Sequence, residues 1–217
     1  MPGSWELPKP SVLIVVLSGR EMVASAWAES WRTLIWPDRA NRMFLYGMPF
    51  DHARSQGCKR TLETDHDYLF FLDDDVILPP DAILRLMNHN KDIISGMYYR
   101  RQLPPAPVMM REIEGKGTQW INDYQPGSVI EADLIGSGCL LIKRKVLEIM
   151  DPPWFEWKCD PFRWPDLKPA ERCSEDFDFC RKARKLGFKL YVDTSIECHH
   201  AGLSVASAQG FTPLQLP

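Results

Sequence analysis

Apolar and polar positions divide the chain into short strands and helices that take turns. The first strong signal, residues 11–17, contains the unbroken apolar run Val12-Leu13-Ile14-Val15-Val16-Leu17. A strand covered on both faces reads this way, because neither side of its pleat meets water. Ser18-Gly19-Arg20 forms its turn, and a helical pattern follows from Glu21 to about Trp36, stopped by Pro37. Arg42 to Tyr46 predicts a second strand, and Asp51 suits the cap of a helix running through Ala53, Cys58 and Leu62. Tyr68-Leu69-Phe70-Phe71-Leu72 predicts a third strand, halted by Asp73-Asp74-Asp75. Pro79-Pro80-Asp81 opens another helix, with proline in the first turn, where its missing N–H costs nothing. Asp92 to Met97 is a fourth strand.

Strands alternating with helices at this spacing predict βαβ units: an α/β fold with a mainly parallel sheet flanked by helices. From 104 to 135 the pattern changes. Pro104, Pro105, Pro107, Gly115, Gly117 and Pro126-Gly127 separate short β-like pieces, which read as a small inserted β-flap. The α/β pattern returns with Cys139-Leu140-Leu141-Ile142 and a short helix to Met150. A Trp/Pro-rich loop spans about 151–172 and is expected to be a mobile cover over the site, since long irregular loops in compact domains are usually functional. A helix from Glu175 to Leu186 ends at Gly187, the expected C-cap, and Phe188 to Val192 forms the last strand. Residues 1–10 read as a flexible Pro-rich leader, 11–202 as one domain and 203–217 as a tail.

Composition narrows the class. Of the 217 residues, 45% are hydrophobic and 25% charged, as in an ordered globular protein. A formal charge of −3 gives no whole-chain basic field for nucleic acid or an anionic membrane. The apolar run at Val12 is too short to span a bilayer and lacks the flanks of a signal peptide, so a cytoplasmic location is expected. The six cysteines are then expected to be thiols.

The chemistry gathers at strand ends. Phe70 to Val76 delivers three carboxylates to the C-terminal end of a buried strand, the edge where open α/β sheets bind ligands. Strand periodicity puts Asp73 and Asp75 on one side and Asp74 on the other. Such a pair suits Mg²⁺ or Mn²⁺ that takes its remaining ligands from water and a diphosphate. An acidic turn in solvent, capping the next helix through Asp75 or Asp81, fits the triplet equally well. Ser174-Glu175-Asp176-Phe177-Asp178 reads either as good helix-start chemistry or as a general base for an acceptor hydroxyl. Glu197-Cys198-His199-His200 offers nitrogen ligands. Cys159, Cys173, Cys180 and Cys198 with a histidine form a rival structural zinc set, although no Cys-x-x-Cys spacing supports it. Ser18 and Gly19 follow the first strand, Asp51, Arg54 and Gln56 the second, and Tyr98, Tyr99, Arg100 and Arg101 the fourth. An arginine there can contact diphosphate oxygens. Gly136-Ser137-Gly138 offers backbone amides without side-chain bulk.

Taken in order, Phe71-Leu72-Asp73-Asp74-Asp75-Val76, Ile135-Gly136-Ser137-Gly138-Cys139-Leu140-Leu141-Ile142, Ser174-Glu175-Asp176-Phe177 and the terminal His200 resemble the GT-A glycosyltransferases. They are most similar to small family-2-like members of the kind often carried by bacteriophages. The resemblance implies a Rossmann-like GT-A core and transfer of a sugar from a nucleotide-sugar donor, UDP-sugar by default, with Mn²⁺ or Mg²⁺. It implies Asp73, Asp75 and His200 at the metal, with Asp73 also toward the ribose. Asp176 is implied as the base of an inverting reaction, with Glu175 beside it. Ser18, Gly19, Asp51, Arg54, Asp73, Asp74, Arg100, Gly136, Ser137 and Gly138 are the implied donor-binding residues. The acceptor stays open between a modified base in DNA, a protein and a glycan. Two other functions remain alternatives: a nucleotidyltransferase on a related core, and a non-catalytic module stabilised by metal. Trp154, Trp157 and Trp164 can stack on a sugar or a flipped base, or pack as a cover.

Overall fold

The computed structural model describes residues 9–19, 22–101, 104–201, 204–207 and 210–213. Arg20, Glu21 and Gly202 lie outside the described residues, as does most of the expected leader. The chain runs β1 (Val12–Ser18), α1 (Ser25–Thr33), β2 (Ala40–Tyr46), α2 (Phe50–Glu63), β3 (Tyr68–Asp73), β4 (Val76–Ile77), α3 (Ala82–Asn88) and β5 (Ile93–Met97). The inserted flap contributes β6 (Met109–Ile113), β7 (Gly117–Trp120), β8 (Val129–Ala132) and β9 (Leu134–Ile135). Then follow β10 (Cys139–Lys143), α4 (Arg144–Ile149), α5 (Glu175–Lys185), β11 (Leu190–Glu197), β12 (His199–His200), β13 (Ser204–Ser207) and β14 (Gly210–Pro213).

The main sheet has seven strands in the order β2-β1-β3-β10-β5-β11-β8. β2, β1 and β3 are parallel, and so are β5 and β11. β10 lies antiparallel between β3 and β5, and β8 closes the far edge antiparallel to β11. The sheet is therefore mixed but largely parallel, with helices on both faces. β1 explains its own apolar run. Leu13, Val15 and Leu17 enter the core under α2, α4 and α5, while Val12, Ile14 and Val16 enter the core under α1 and α3. All six are at most 4% exposed, and burying each such side chain contributes about 1.5–3 kcal/mol.

Smaller sheets stand at the rim where β1 and β3 end. β6 pairs with β7 and β9 in the flap, and β4 pairs with β12. The segment read as a tail contains β13 and β14, an antiparallel pair that continues from β12. Three caps differ from expectation. α2 starts after Pro49, leaving Asp51 in its first turn, and Ser174 and Asp81 hold N-cap positions without side-chain capping bonds. Gly187 lies one residue past the Leu186 C-cap with φ +86°, the left-handed conformation that ends helices.

Candidate active site

The acidic triplet does not keep strand alternation. β3 ends at Asp73 and the chain turns through Asp74 and Asp75, so the three carboxylates face three different partners. Asp74 accepts a hydrogen bond of 2.6 Å from the Ser18 hydroxyl, which ties the ends of β1 and β3 together. Both residues border a cleft of about 800 Å³, walled by Val16, Gly19, Phe44 and Tyr46. Phe44 and Tyr46 share one face of edge strand β2 and remain exposed.

Asp75 meets His200. β12 pairs with β4 directly after the triplet, which sets the imidazole Nε2 3.3 Å from Asp75 Oδ1. The other ring nitrogen, Nδ1, lies 3.0 Å from the Tyr99 carbonyl, which only accepts, so Nδ1 carries a proton. In the neutral ring Nε2 is then an acceptor facing a carboxylate, a pair that a bound cation could bridge. Neighbouring ligands of an octahedral divalent ion with bonds of roughly 2.1 Å sit about 3 Å apart, so this pair fits one. Arg101 Nη1 holds the other Asp75 oxygen at 3.2 Å.

Asp73 does not join that pair. Its two oxygens accept from Arg54 Nη2, each at 3.1 Å, because α2 carries the guanidinium beneath the end of β3. The Arg54 side chain is 2% exposed, and its Nε faces Asp176 at 3.4 Å and Glu175 at 3.5 Å. Nη1 donates to the Ser137 carbonyl at 3.3 Å, and the Phe71 ring lies 5.4 Å from the guanidinium carbon. Burial works against the Arg54 charge, but Asp73, Asp176 and Glu175 outweigh it and raise its pKa. Burial, joined by the Asp176 and Asp75 charges, raises the Asp73 carboxyl against the opposing pull of Arg54. Burial, reinforced by Asp176, raises Glu175 to about 7. Arg54 Nε, Asp176 Oδ1 and Ser137 Oγ, all buried in this cluster, have no hydrogen-bond partner among the described residues.

Other expected donor contacts fall elsewhere. Asp51 anchors the 151–172 loop: it accepts from Trp157 N at 3.4 Å and Arg163 at 3.0 Å. Burial opposes that charge, yet the bonds from Trp157, Arg163 and His52 hold the carboxyl below its ordinary pKa. Arg100 points to the flap, its guanidinium 5.0 Å from the Trp120 ring centre, while its neighbour Arg101 reaches the site. The Gly136-Ser137-Gly138 amides are already used within the protein. Gly138 N donates to the Tyr98 hydroxyl, Ser137 N to Asp176 Oδ2 and Gly136 N to the Val108 carbonyl. The glycines are there for space: a Cβ on Gly136 would overlap the Tyr98 hydroxyl, and one on Gly138 would press Val76 at 2.9 Å. Tyr98 in turn packs edge-on against His200. Spaced glycines facing an aromatic residue were the available sign of Tyr98, whereas nothing marked Arg54 as a buried arginine.

The cysteines do not gather. Cys180 bonds to the Ile135 backbone, Cys198 and Cys139 meet across Gly96, and Cys159 is exposed. Among the described residues no three His, Cys, Asp or Glu side chains are placed to hold a metal by themselves. The expected zinc set and the expected Asp73–Asp75–His200 set are therefore not assembled, and Asp75 and His200 remain as a facing pair. Among the described residues no helix is long and apolar enough to cross a membrane.

No family model matches the chain, and no curated protein matches it in sequence. Solved structures do. A197 from STIV superposes with a TM-score of 0.69 at 19% identity over 95% of both chains. GalNAc-T7 with UDP, GalNAc and Mn²⁺ superposes with a TM-score of 0.56 at 10% identity. That match covers 88% of this chain but 44% of the other. At these identities the likeness is one of fold, a glycosyltransferase-like α/β architecture of the GT-A kind.

Proposed function

We propose that the chain is a glycosyltransferase that moves a sugar from a nucleoside-diphosphate donor, by default a UDP-sugar, to an acceptor hydroxyl with inversion. The observation that carries this reading is the Asp75–His200 pair, set on the same rim as the Ser18–Asp74 cleft and the Glu175–Asp176 helix start. GalNAc-T7, similar in fold, binds UDP, GalNAc and Mn²⁺, which supports such a donor and such an ion. Asp75 and His200 would hold Mn²⁺ or Mg²⁺, which when bound neutralises charge on the leaving diphosphate. Asp74, oriented by Ser18, accepts from hydroxyls of the donor in the cleft. Asp176 is the base. Its side chain is 20% exposed against 8% for Glu175, and Glu175 keeps its proton to about neutral pH. Arg54 touches both halves and positions them.

The test is nucleoside-diphosphate release from a panel of sugar nucleotides with Mn²⁺. Asp75→Asn and His200→Ala should lose activity by orders of magnitude with the fold intact, and excess chelator should do the same to the native protein. Asp176→Asn should lower transfer by about 10²–10⁴-fold while nucleotide binding persists. Full activity in chelator, or a product anomer matching the donor's, would overturn the reading.

A further inference from the structure

The 151–172 loop separates its aromatic residues by role. Trp154 and Phe155 are core: the Trp154 indole donates to the Leu147 carbonyl, and Phe155 stacks on Phe179 with centroids 4.5 Å apart. Trp157 and Phe162 are 45% and 94% exposed. The Trp164 indole N–H is bonded to the Trp157 carbonyl, and its ring lies 5.7 Å from both Lys158 Nζ and the Arg163 guanidinium carbon, so Trp164 is engaged within the loop. The buried base of this loop adjoins the acidic cluster. Phe155 lies 6.0 Å from the Arg54 guanidinium carbon, and Trp157 is tied through its backbone to Asp51, one helical turn before Arg54.

Resting on the transferase reading, we infer that Trp157 and Phe162 form an acceptor platform and that the acceptor is a neutral glycan. Exposed ring faces bind flat or C–H-rich surfaces, such as the face of a sugar ring. Charge favours a neutral ligand over nucleic acid. Residues 151–172 carry five carboxylates against four cations, whereas a polyanion is held by an excess of Lys and Arg. Arg163 is also engaged with Asp51. A peptide strand would need a free backbone edge to pair with, and this loop contains no strand.

Tryptophan fluorescence of the full chain, with Mn²⁺ and UDP present, tests this. The probes are maltohexaose, cellohexaose, chitohexaose, a single-stranded 12-mer DNA and a Ser/Thr-rich peptide, all at 150 mM salt. At least one hexasaccharide should bind saturably, and Phe162→Ala, at an exposed position that leaves folding alone, should weaken it about three- to tenfold. UDP affinity should not change. Tighter binding of DNA or peptide, binding by none of the hexasaccharides, or an unchanged glycan affinity in Phe162→Ala overturns the platform. Failure of UDP itself to bind would instead count against the transferase reading, since the Ser18–Asp74 cleft proposed to take it is lined by no residue of the 151–172 loop.

Discussion

A guanidinium that faces three carboxylates out of reach of water is held in place by charge. In Arg54→Met, Asp73, Glu175 and Asp176 would face one another without a counter-charge, and losing one partner of a buried ionic cluster costs about 3–5 kcal/mol. The loss should be larger at pH 8 than at pH 5, because protonation relieves the repulsion, and urea unfolding at the two pH values checks this. An equal loss at both would mean that Arg54 acts by packing alone. Glu175 adds its own pH dependence. Its folded pKa of about 7 lies above the ordinary 4.5, so its contribution is present below about 4.5 and is lost as pH rises through 7. That loss amounts to at most about 3 kcal/mol. Glu175→Gln should remove it, so the variant should gain on the native protein between pH 5 and pH 8. A pH-independent difference would contradict the assignment.

The elements show where local pattern suffices and where it stops. β1, β3, β5 and β10 were legible because strands buried between two cores have no polar face to confuse the reading. α1 begins at Ser25, four residues past the expected start, since no capping residue marks it. The strands β13 and β14 lacked any alternation in a Ser-, Ala- and Gln-containing stretch, so they read as a tail. The Gly-Ser-Gly loop before β10 was recognised as special, but for its amides rather than for the ring that crowds it. Gly136→Ala should therefore cost about 1–3 kcal/mol in thermal or chemical unfolding. By displacing Tyr98 from His200 it should also weaken Mn²⁺ binding measured by calorimetry, whereas Gly115→Ala, in an open flap turn, should leave the metal untouched.

At the scale of the molecule, the site is assembled from chain segments more than a hundred residues apart. The sequence puts Asp74, Asp75, Glu175, Asp176 and His200 at strand ends and a helix start, and the fold brings those ends to one rim. Their true partners could not be read from it, since an arginine in a helix usually faces solvent and a one-residue difference separates Arg100 from Arg101. The 151–172 loop is pinned from two sides near its middle: Asp51 takes Trp157 and Arg163, and buried Asp178, which also meets Lys182 of α5, takes Lys158 at 2.5 Å. Asp51→Asn should free one side and speed proteolysis between 157 and 166, with little change elsewhere. A cleavage pattern like that of the native protein would show that Asp178 alone suffices.

The reversed direction of β10 has a consequence of its own. β5 ends at Met97 and β10 begins at Cys139, both on the rim where β3 ends, so the intervening excursion leaves and re-enters the sheet from the same side. A parallel neighbour would have required the chain to cross to the opposite rim and back; an antiparallel one needs no crossover. Residues 98–138 thus plug into the scaffold like a cartridge between two fixed contacts. Its interior can be lengthened, shortened or exchanged without re-threading any of the other six strands, provided that β8 keeps its place beside β11 and that Tyr98 and the Gly136–Gly138 turn survive at its ends.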